Sequence, residues 1–113
     1  MDGRDYIKQA EELVETIISN IENVGLLNGD PLIEGARKVC RDLNDVKNKA
    51  TLRTKAGTQL VFPVLEAARN LEEAWEDARR NNDVEDLKWR LEGFVDAVLA
   101  LTGALKDRTI IMT

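Results

Sequence analysis

Apolar residues in this chain recur every three and four positions in four separate runs, each bounded by turn-forming residues. That period is the signature of an α-helix with one buried face. Four such faces in one chain have to cover one another. The 113 residues fit one domain, residues 1–113, long enough to bury a core without disulfides or a metal. The expected fold is all-α: an antiparallel up-down-up-down four-helix bundle, because short connections favour antiparallel neighbours. The alternative is a long bent hairpin in which the second and third helices nearly fuse and a partner chain completes the bundle.

The first helix is expected from about Gly3 to Val24. Tyr6, Ala10, Leu13, Ile17, Ile21 and Val24 form its stripe, and Ile7, Val14 and Ile18 widen it. Asp2 and Asp5 suit the positive end of the helix dipole. Gly25 is expected to end the helix in the left-handed conformation, and Asn28-Gly29 marks a turn. Asp30 then caps the second helix, with Pro31 at its first position. Its stripe is Ile33, Ala36, Val39, Cys40, Leu43, Val46 and Ala50, and Gly57 is the expected stop.

The third stripe is Leu60, Val61, Val64, Ala68, Leu71, Trp75 and Ala78. Pro63 either starts this helix or kinks its first turn, since an interior proline removes a backbone hydrogen bond. Asn82 and Glu85 have capping-box spacing. The fourth stripe is Val84, Leu87, Leu91, Phe94, Val95, Val98, Leu101, Thr102 and Leu105. The apolar residues of the tail, Ile110, Ile111 and Met112, are too few to define an element.

The chain has no histidine. It therefore lacks the commonest general base and the commonest nitrogen metal ligand. Glu-x-x-His di-iron sites, histidine phosphorelay and Ser-His-Asp or Cys-His machinery are all ruled out. The one serine, Ser19, falls inside the first helix, and no Gly-rich phosphate loop occurs. Most of Glu72, Glu73, Glu76 and Asp77 fall away from the apolar stripe, and they read as a solvated face rather than paired catalytic acids. The expectation is a protein that is not an enzyme and uses no cofactor or metal.

Cys40 is the single cysteine, so no intramolecular disulfide forms. It lies on the apolar stripe and reads as an inert buried thiol, with Arg37 and Arg41 on the neighbouring face. The N-terminal residues lack the apolar core of a secretory signal, and the longest nearly uncharged stretch, Phe94 to Leu105, is too short to span a bilayer. A cytoplasmic location is the expectation. The net charge of −5 disfavours whole-surface attraction to nucleic acid or anionic lipid.

Two features could carry function. On the fourth helix, Gly93, Ala97, Ala100 and Ala104 fall together on a face well away from the core stripe, with Trp89 and Asp96 on the same outer side. Small residues let another helix approach closely, and tryptophan is enriched at binding hot spots. Alanine is also simply a good helix former, but an exposed tryptophan tips the reading towards a protein partner or a second copy. An unpaired Asp96 would be costly to bury there unless the partner supplied a donor.

The second feature is a basic segment. Residues 35–57 hold Arg37, Lys38, Arg41, Lys47, Lys49, Arg53 and Lys55 against Asp42 and Asp45 alone, while the rest of the chain is strongly acidic. Arg37, Arg41, Lys47, Lys49, Arg53 and Lys55 are thus candidate contacts to an anion or a nucleic-acid backbone through segment 37–55. The segment has no aromatic residue for stacking on bases. Cations at a helix C-terminus and acidic neighbours inside the bundle are the stronger explanation for it. The leading functional expectation is a non-enzymatic interaction module: a small adaptor, inhibitor or assembly subunit acting through the outer face of the fourth helix. A small subunit contacting nucleic-acid backbone is the alternative.

Overall fold

The computed structural model describes residues 3–25, 27, 29–47 and 55–106. Four α-helices account for nearly all of them: α1 (Gly3–Asn20), α2 (Asp30–Lys47), α3 (Lys55–Asn81) and α4 (Glu85–Lys106). No strand occurs among the described residues. Each helix packs on the next in the chain, and α1 also packs on α4, the neighbour pattern of a four-helix bundle. At about 1.5 Å per residue, the 27 residues of α3 run nearly the full 42 Å length of the molecule.

The core is built from the stripes. Tyr6, Ala10, Val14 and Ile17 enter from α1, and Ile33, Ala36, Val39 and Leu43 from α2. Val61, Val64, Leu71, Trp75 and Ala78 enter from α3. From α4, all eight stripe residues between Leu87 and Leu105 are buried, including Thr102, whose hydroxyl donates to the Leu99 carbonyl at 3.3 Å. Leu32 and Ala74 join the core as well, and neither belongs to the stripes read from periodicity. Ile18 does not join it: it stands at the edge of its stripe and is 56% exposed.

Several boundaries differ from expectation, each for a local reason. α1 stops at Asn20, where the Asn20 side-chain amide donates to the Thr16 carbonyl at 2.7 Å. A 3-10 turn over Ile21–Asn23 follows, and Val24 turns extended at φ −64°, ψ 137°. Gly25 is not left-handed; no described glycine has positive φ. The tightened last turn and the side-chain cap replace the glycine motif.

Gly29, not Asp30, supplies the carbonyl that opens α2, accepting from Leu32 N at 3.0 Å and Ile33 N at 3.1 Å. Asp30 is the first helical residue, and its carboxylate suits the dipole. Pro31 comes second, where its missing N–H still costs no helical bond.

Gly57 does not end α2. It lies inside α3, which starts at Lys55 and carries Pro63 in its interior. Residues 48–54, between the two helices, and the tail from 107 onward lie outside the described residues.

Asn82 is not the cap of α4. It is the one described non-glycine residue in the left-handed region, at φ 55°, where it ends α3, a place asparagine tolerates. Asp83 is the cap instead, its Oδ1 accepting from Glu85 N at 3.1 Å. Lys88 N then donates to the Val84 carbonyl at 3.0 Å to begin the helix.

Candidate interaction site

Among the described residues, a groove flanks α3 on each side. The first runs between α3 and α4. Pro63, Ala67 and Asn70 of α3 face Trp89, Gly93 and Ala97 of α4 across about 300 Å³ of open space. It exists because the α4 stripe turns Leu91, Phe94 and Val98 inward and so leaves the opposite side of the same helix outward.

Trp89 is 74% exposed. Gly93 and Gly103 have open space where a side chain would stand, with no atom within 4 Å. Asp96 and Ala100 are exposed, and Ala97 and Ala104 are half-buried. The structure therefore places Trp89, Gly93, Asp96 and Ala100 on the exposed side of α4, while Ala97 and Ala104 flank that side and pack against the edge of the core. It brings Trp89, Gly93 and Ala97 into one groove. Periodicity could not point to the α3 wall of that groove, because it depends on which helix lies beside α4.

The second groove, of about 690 Å³, runs between α2 and α3. Arg37 sits at one end between Glu34 and Glu72, bonded to both carboxylates, with Nη2 donating to Glu72 Oε2 at 2.8 Å. The guanidinium holds the Glu72 carboxyl below its ordinary range, chiefly through the side-chain hydrogen bond, and the same bond raises Arg37 further above its own. Arg37 is thus already occupied by two anions. Arg41 lies in the same groove without an acidic partner among the described residues.

Of the other basic candidates, Lys47 ends α2 and Lys55 begins α3, while Lys49 and Arg53 lie outside the described residues. Cys40 is half-buried in this groove beside the two arginines, not on a separate face from them. The arginines do not activate it: burial dominates and pushes the thiol up to about 11, with Glu72 adding to the effect.

A third cluster lies on the α1–α2 side of the core. Burial raises the Tyr6 phenol well above its ordinary range, and nearby Cys40 and Asp42 push the same way. The Tyr6 hydroxyl and Asp42 Oδ2 are both buried without a hydrogen-bond partner among the described residues. The acidic face of α3 is solvated, with Glu73, Glu76 and Asp77 exposed and Glu76 only 4.0 Å from Arg79. Among the described residues no three metal-ligating side chains converge, and no helix is long and apolar enough to cross a membrane.

Protein-family models, curated proteins and solved structures were compared with the chain. None matches. The functional reading therefore rests on the two grooves and the side chains that line them.

Proposed function

We propose that this chain is a non-enzymatic interaction module, a small adaptor, inhibitor or assembly subunit, that docks a protein partner on the outer face of α4. One observation carries the reading: the indole of Trp89 is exposed at the rim of a groove floored by small residues. A large aromatic ring left in water forfeits roughly 1.5–3 kcal/mol of burial. Gly93 and Ala97 allow a helix backbone to come close beside it. The geometry suits a partner helix laid along α4, with Trp89 as its anchor.

A second copy of the chain is the simplest such partner, and the cytosol, where Cys40 stays a thiol, is the compartment that suits it. Light scattering on a sizing column over a wide concentration range tests the assignment. Wild type is expected to run above monomer mass or to retain a partner. Trp89→Ala and Ala97→Glu are expected to abolish that while leaving the helical circular dichroism unchanged. If both variants behave as wild type, the face is not an interface.

A further inference from the structure

The α2–α3 groove is asymmetric in charge, and this is independent of the α4 face. At one end Arg37 is neutralised by Glu34 and Glu72. Further along, Arg41 of α2 and Arg69 of α3 line the same groove, both exposed, and neither has an acidic partner among the described residues. Glu66 and Glu73 stand three residues before and four after Arg69, at helical pairing distance, yet neither forms an ion pair with it. Cys40, Leu65 and Ala68 supply a half-buried, largely apolar floor beside the two guanidiniums.

Two like charges on one groove repel unless an anion joins them. Arginine is the side chain best shaped to hold a carboxylate by paired hydrogen bonds. A bare inorganic anion would leave the apolar floor in water. The volume of about 690 Å³ is that of a small-molecule site.

We infer that the α2–α3 groove binds an amphipathic carboxylate, its head between Arg41 and Arg69 and its aliphatic body on Cys40, Leu65 and Ala68. Charge complementarity selects the anionic head, and the floor selects the chain. Arg37 does not hold the head, because Glu34 and Glu72 already compensate its charge.

Decanoate, kept below its micelle concentration, is the probe. It is titrated into the full chain while backbone amide resonances are followed. The expected result is saturable shifts confined to residues 36–41 and 65–72, with little response to decylamine or inorganic phosphate. The double variant Arg41→Gln, Arg69→Gln is expected to lose about tenfold or more in affinity, with unchanged circular dichroism because both side chains are exposed.

Equal binding of decylamine, or undiminished binding of decanoate by the double variant, overturns the assignment. So does phosphate binding as tightly as decanoate, which would reduce the site to a bare anion contact. Binding of an acidic peptide but not decanoate overturns it too, in favour of a protein partner.

Discussion

The six-membered ring of Trp75 fills the space that a side chain on Gly29 would need. A Cβ built on Gly29 falls 2.5 Å from Trp75 Cζ3 and 2.8 Å from Cη2, and 2.9 Å from the Gly25 carbonyl oxygen. Both obstacles are stiff, one a buried aromatic ring and the other backbone. Gly29 is thus required by packing and not by a left-handed backbone. Gly29→Ala is expected to lose about 1–3 kcal/mol, the cost of overpacking a filled site. Urea denaturation measures it, and wild-type stability in that variant would show that Trp75 is free to move.

Gly35 makes the instructive contrast. A Cβ there would also meet an atom at 2.5 Å, but that atom is Leu13 Cδ1, the end of a flexible side chain. Alanine in a helix interior is favoured over glycine by about 1 kcal/mol. Gly35→Ala is therefore expected to fall within about 1 kcal/mol of wild type, far less damaging than Gly29→Ala. The same denaturation series ranks the two, and the reverse order would refute the distinction.

How much of this the sequence could carry depends on whether one helix or two are needed. The α4 stripe was legible because its apolar residues are spaced on one helix: every residue from Leu87 to Leu105 on it is buried, and Val84, read as its first member, lies half-buried just before the helix. The outer position of Trp89 follows from the same spacing. The start of α3 was not legible. Gly57 and Pro63 are poor helix formers, and their local preference loses to packing of Leu60, Val61 and Val64 against the bundle. Nor could spacing reveal that Arg37 is held by Glu72, which lies 35 residues away. Arg69, also remote from Arg41 in sequence, becomes a candidate only once α2 and α3 lie side by side.

Tyr6 carries a hydroxyl that the core does not use. The side chain is 1% exposed, and its oxygen has no hydrogen-bond partner among the described residues. An unpaired buried hydroxyl costs about 1–3 kcal/mol of desolvation. Tyr6→Phe keeps the ring and removes that cost. The variant is expected to match or exceed wild-type stability, by about 1 kcal/mol. A clear loss in thermal unfolding would mean that the oxygen is paired in solution.

Acid should weaken the α2–α3 clamp. Arg37 lowers the Glu72 pKa from an ordinary 4.5. A depressed carboxyl contributes stability that is present above its unfolded pKa and is lost as pH falls through the lower folded value. The window therefore opens near pH 4.5 and extends below it. Both side chains are more than one-third exposed, so the contribution is small, at most about 1 kcal/mol. Glu72→Gln is expected to reduce the slope of stability against pH in that window, and an unchanged slope would remove the clamp from the account.

Base acts on Cys40 in the opposite sense. Its thiol is raised from 9.0 to about 11, mainly by burial. A raised thiol contributes stability that is complete below pH 9 and is lost as pH climbs towards 11. The thiolate is correspondingly scarce at neutral pH. Reaction with a thiol-specific disulfide reagent is expected to be slow in the folded protein and much faster in denaturant. Fast labelling at neutral pH in the native state would contradict the burial.

Pro63 lies eight residues inside α3 and faces the groove that also holds Trp89. Its ring has no N–H to give the Gln59 carbonyl and crowds it. Replacing an interior proline with alanine restores that bond, and in an exposed helix the gain reaches about 3 kcal/mol. Pro63 is exposed, so Pro63→Ala removes little packing. The variant is expected to be more stable than wild type by about 1–3 kcal/mol. A proline retained at that cost has a use if its ring shapes the wall opposite Gly93 and Ala97. Pro63→Ala should then raise the melting temperature while weakening association through the Trp89 face. Higher stability with unchanged association would separate the proline from the interface, and lower stability would show that its ring packs to more purpose than its exposure implies.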